Sequence, residues 1–69
     1  MPLVIAPSNV ELKVIKILTN DKIKKHLESL GIIVNGTIKI LENSTNIILD
    51  VLGQRIALDK DIATHIIVA

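Results

Sequence analysis

The chain has 69 residues, no cysteine and no aromatic residue, and eight Lys and Arg against seven Asp and Glu leave a formal charge of +1. That length restricts it to one domain, residues 1–69, close to the lower limit for unaided folding, and the missing cysteines exclude a disulfide framework and thiolate metal sites. So balanced a charge withholds the phosphate attraction on which nucleic-acid binding depends, so DNA and RNA are not expected partners.

Leu3-Val4-Ile5 is a short apolar run broken by Ala6-Pro7-Ser8-Asn9, and it reads as an N-terminal edge segment. Met1 to Ala6 has no basic leader and too few apolar residues for a signal peptide or a membrane span, so a cytoplasmic protein with no direct membrane insertion is expected. From Val10 to Leu18 the pattern is that of a strand, with Val10, Leu12 and Val14 on one face against Glu11 and Lys13. At Val14-Ile15 the alternation slips by one residue and resumes with Ile15 and Ile17, which predicts a bulge or a sharp bend.

Asp21 to Leu30 reads as a helix of about ten residues, because Ile23, Leu27 and Leu30 recur at i, i+4 and i+7 and form one apolar stripe. Asn20 or Asp21 can cap its start, and Gly31 stands where a left-handed stop is wanted. So short a helix is marginal alone, and its stripe must be buried against strands. Lys22, Lys24 and Lys25 make the only basic cluster, and the Asp21–Lys25 and Lys24–Glu28 spacings suit an ordinary solvated helix face.

Asn35-Gly36 is a turn dipeptide, after which the period drops to two. Thr37 to Glu42 and Ile47 to Leu52 read as adjacent antiparallel strands joined by the polar link Asn43 to Asn46. Ile38 and Ile40 share one face; Ile47, Leu49 and Val51 share another. Gly53 permits a tight reversal into Gln54 to Leu58, Asp59 can cap a single helical turn over Lys60 to Thr64, and His65 to Val68 closes the chain as a strand. The fold class is therefore mainly β: a small SH3-like barrel of five short strands, one helix inserted between strands 1 and 2, and a short helical turn before the last strand. Barrel closure would hide edges that such apolar strands otherwise offer for aggregation.

No nucleophile, base and orienting acid can be assembled, so no catalytic residue is assigned and an enzyme is not expected. Asp59 and Asp61 read as a cap and a solvated carboxylate. His26 and His65 fall in different elements without a ligand spacing such as HxxxH, so no metal ligand is assigned. The aromatic-lined groove by which SH3 domains grip proline-rich peptides, and the rings on which single-stranded nucleic acids stack, have no residues here to build them.

Leu3 with Ala6-Pro7, Val14 to Ile17, the basic helix ending Leu27-Glu28-Ser29-Leu30-Gly31-Ile32, Gly36 to Leu41, Gly53 to Leu58, and Ala63 with Ile66 to Val68 together resemble the ferrous iron transport protein A (FeoA) family. Departures fall in turns: Asn35 stands where proline is usual before Gly36, Ser8-Asn9 replaces a common glycine, and the Asn43 to Asn46 link is short. The resemblance implies a non-enzymatic accessory protein of ferrous iron uptake that docks on and modulates the FeoB-type membrane GTPase at its cytoplasmic side. It transfers no catalytic residue and no cofactor. The basic helix face around Lys22, Lys25 and Ser29, with the nearby barrel rim, is the contact surface expected. The alternative is a transition-metal-binding sensor similar to the SH3-like C-terminal domain of iron-dependent repressors, with weak binding of Fe²⁺ or another divalent metal. Self-association through the apolar terminal strands, giving a homo-oligomer, is left open.

Overall fold

In the computed structural model, which describes residues 1–69, strand β1 (Glu11–Ile17) belongs to two halves of one sheet. Its first half pairs antiparallel with β2 (Thr37–Asn43), setting Glu11 opposite Lys39 and Leu12 opposite Ile38. Its second half pairs with β5 (Ile66–Val68), setting Val14 opposite Val68 and Ile17 opposite Ile66. The changeover is a bulge at Ile15, because Val14 and Lys16 oppose consecutive residues of β5. Such an extra residue bends and twists a strand, and here it turns the sheet over its own core.

The meander of β2, β3 (Ile47–Val51) and β4 (Gln54–Leu58) completes the strand order β4-β3-β2-β1-β5 of the SH3-like barrel. Inward positions alternate as the strand period requires: Leu12, Val14, Ile38, Ile40, Ile47, Leu49, Val51, Leu58, Ile66 and Val68 are all buried. No polar side chain is buried and none of the buried side-chain polar atoms lacks a partner, so aliphatic packing alone fills the interior. The β3–β4 reversal is a two-residue loop between Val51 and Gln54, with Leu52 at φ +53° and Gly53 at φ +83°. Two positive values identify a type I′ turn, whose twist matches that of the strands.

Helix α1 (Asp21–Ser29) starts where expected, with the Asn20 side chain accepting from the Ile23 N–H at 2.8 Å. Its end is a Schellman motif: Gly31 at φ +92° donates to the Glu28 carbonyl, and the Ile32 N–H donates to that of Leu27 at 2.9 Å. Leu27 and Ile32, the hydrophobic pair that accompanies this motif, are both fully buried. Ile23 and Leu30 are only half-buried, so the helix closes the barrel mouth mainly through Leu27 and the residue just beyond its stop. Helix α2 (Lys60–Ala63) is the expected single turn, with Asp59 accepting from the Asp61 N–H at 2.8 Å.

Three expectations change. Val10 precedes β1 and is 45% exposed, and Ile15, the bulged residue, is 39% exposed, so neither joins the core face. Leu3–Ile5 forms a 3₁₀ turn, and only Met1 and Pro2 act as an edge: Met1 exchanges hydrogen bonds with Val68, and Pro2 bridges Ile67. The turn drives Leu3 fully into the core, which an extended edge segment would not do.

Candidate docking surface

Lys22, Lys25 and Ser29 stand at i, i+3 and i+7 of α1 and are all exposed. That spacing puts them on one face of the helix. The Ser29 hydroxyl donates to the His26 carbonyl in the last turn, so it helps finish the helix and keeps only acceptor capacity for a partner. Lys24 is half-buried, so Lys22 and Lys25 are the more exposed lysines of the helix.

Beside the start of α1 lies an open groove of about 300 Å³ between the end of β1 and α2. Leu18, Ile23 and Ile62 give it an apolar floor, and Asn20, Asp61 and His65 a polar margin. His65 Nδ1 lies 2.8 Å from the Asp61 carbonyl oxygen, which as donor it would hold, leaving Nε2 free. Asn20 is occupied by its cap. Periodicity could not find this groove, because its walls come from three elements that only the fold brings together.

A second shallow groove, of about 280 Å³, runs over the outer face of the sheet between Glu11, Lys39, Asp50 and the β3–β4 turn. Glu11 opposes Lys39, Lys39 opposes Asp50, and Asp50 opposes Arg55, so charge alternates in sign across four strands. Opposite charges directly across a sheet favour the pairing, which makes this row a device of register. At its end Leu52 is 86% exposed, beyond anything its sequence context foretold. His26 lies on α1 and His65 in the turn between α2 and β5, and no three His, Cys, Asp or Glu side chains come together as a metal site.

The model of the FeoA domain family matches residues 1–69, the full length of the chain. The chain belongs to the FeoA family. A crystal structure of the iron uptake regulatory protein FeoA superposes on this FeoA domain with a TM-score of 0.88 and 31% identity, over 99% of this chain and 92% of that one. A FeoA-like protein of Clostridium acetobutylicum, solved by NMR, gives 0.83 at 25% identity over 100% and 84% of the two chains. ScaR, crystallised with bound Zn²⁺, gives 0.86 at 30% identity, with 99% of this chain covered and 35% of ScaR. A comparison with curated protein sequences gives no match. The FeoA family has its role in ferrous iron transport, and in this member no helix is long and apolar enough to cross a membrane.

Proposed function

We propose that this FeoA domain is a non-enzymatic, cytoplasmic accessory protein of ferrous iron uptake that docks on the FeoB-type membrane GTPase and modulates it. The observation that carries the reading is the family match along the whole chain, residues 1–69. The exposed helix face of Lys22, Lys25 and Ser29, beside the groove at Leu18, Ile23 and Ile62, supports it as a contact surface. Two exposed ammonium groups on one helix face suit a protein surface that carries carboxylates.

The test is a Lys22→Glu/Lys25→Glu variant. Both side chains are exposed, so its melting temperature should match that of the parent. Two reversed rim charges should weaken binding to the isolated cytoplasmic domain of the GTPase by about tenfold or more, roughly 1.4 kcal/mol. Unchanged binding removes this face from the proposal.

The likeness to ScaR with bound Zn²⁺ favours one other reading, a metal-binding sensor. Calorimetric titration with Fe²⁺ or Mn²⁺ under anaerobic conditions separates the two. The docking reading expects no heat at micromolar protein and metal, and stoichiometric binding would replace it with the sensor.

A further inference from the structure

The two outer strands of the sheet are treated differently. The free side of β5 is covered: Met1 exchanges two hydrogen bonds with Val68, at 2.7 and 2.8 Å, and Pro2, which has no N–H to offer, bridges Ile67. No strand pairs with the free side of β4, which pairs only with β3.

Which groups β4 presents follows from its turn. A two-residue loop makes Val51 and Gln54 a hydrogen-bonded pair, and alternation then makes Leu49–Ile56 and Ile47–Leu58 hydrogen-bonded too. Arg55 and Ala57, between them, turn their N–H and C=O groups outward. Neither takes part in any turn, loop or cap hydrogen bond. The same side of the chain continues at Asp59, whose backbone is still extended at φ −64° and ψ 137°.

We infer that this edge is a self-complementary interface on which a second copy of the chain adds its own β4, antiparallel, about a two-fold axis at Ala57. In that register Ala57 faces its counterpart, Arg55 of each copy faces Asp59 of the other, and Ile56 faces Leu58 on the inner side. The choice rests on charge. Centring on Arg55 sets two guanidinium groups opposite each other, which is destabilising, whereas centring on Ala57 gives two opposite-charge pairs around the smallest side chain of the strand. The ladder forms except at the Arg55 N–H, which stays toward water. Ala57 N–H and C=O groups pair reciprocally, and each Asp59 N–H reaches an Arg55 carbonyl. The Asp59 carbonyl itself already accepts from Ala63 at 3.0 Å. Asp59 caps α2 through Oδ1, which leaves Oδ2 for the guanidinium. A short edge carrying one exposed charge is ordinarily protected against pairing, but here the partner copy supplies the countercharge. So short a ladder belongs with small, transient interfaces, and the dimer is concentration-dependent.

The chain has no cysteine, so one can be placed as a reporter. Ala57 is exposed, and Cα atoms of a hydrogen-bonded antiparallel pair lie about 5.5 Å apart, within disulfide reach. Ala57→Cys should form a disulfide dimer under mild oxidation at least about tenfold faster than Thr45→Cys, an exposed control on the β2–β3 link, because pairing raises the effective thiol concentration. Adding Asp59→Asn, which keeps the cap but removes the charge, or Arg55→Gln should slow that reaction severalfold, and so should added salt. In parallel, sedimentation of the unaltered chain should shift toward twice its mass as concentration rises. Equal cross-linking rates for the two cysteines, indifference to Asp59→Asn, or a monomer at every concentration overturns the proposal. None of these outcomes bears on docking through α1.

Discussion

Leu52 shows how a single residue can sit against its own preference. The first central position of a type I′ turn requires a positive φ and favours Asn, Asp or Gly, since a left-handed conformation costs most side chains about 1–2 kcal/mol. Leucine occupies it at φ +53° with 86% of its surface exposed, so burial returns almost nothing for the strain. Leu52→Asn is therefore expected to stabilise the domain by about 0.5–1 kcal/mol, a rise of a few degrees in melting temperature on thermal denaturation. Gly31 is the contrary case. It adopts φ +92°, and a Cβ there would lie 3.1 Å from Val51 Cγ1, so glycine is required twice over. The stop at Gly31 is legible from local pattern. The approach of Val51 is a long-range fact that no pattern carries.

At the scale of an element, α1 has only nine residues, too few to be stable by propensity alone. Its ends and its buried face must hold it. The Asn20 cap is exposed and makes one hydrogen bond, so Asn20→Ala should destabilise the domain by about 1 kcal/mol, whereas Asn20→Ser should be close to neutral, as chemical denaturation would measure. Both ends of this helix were legible because capping is a contract between residues a few positions apart. The depth of its stripe was not. Ile23, Leu27 and Leu30 are equivalent in the pattern, yet only Leu27 is fully buried, and the Schellman turn adds Ile32 as its buried partner. The docking face keeps the same split: Lys22, Lys25 and Ser29 could be placed on one helix face from spacing, while the groove beside them needed β1 and α2 brought together.

Across the whole molecule, the core joins residues from both ends of the chain. Leu3 is fully buried, held by a 3₁₀ turn, with β5 anchoring the two residues before it. With so small an interior there is no spare packing to absorb a cavity. Leu3→Ala should cost about 2–5 kcal/mol, most of the stability of a domain this size, and a melting curve should show the loss as clearly as a core substitution in the central strands.

Period, caps and turn residues are set by neighbours along the chain, and they are enough to specify five strands, an inserted helix, a final helical turn and a bend near Val14. Their closeness to one another across the sheet is set by register, which depends on contacts far apart in sequence. Long-range pairing therefore leaves Val10, Ile15 and Leu52 facing water, sets the N-terminus against β5, and leaves one edge of β4 without a strand. The physical reason is that an apolar side chain is buried by what lies opposite it, and the pattern records the side chain without recording its opposite.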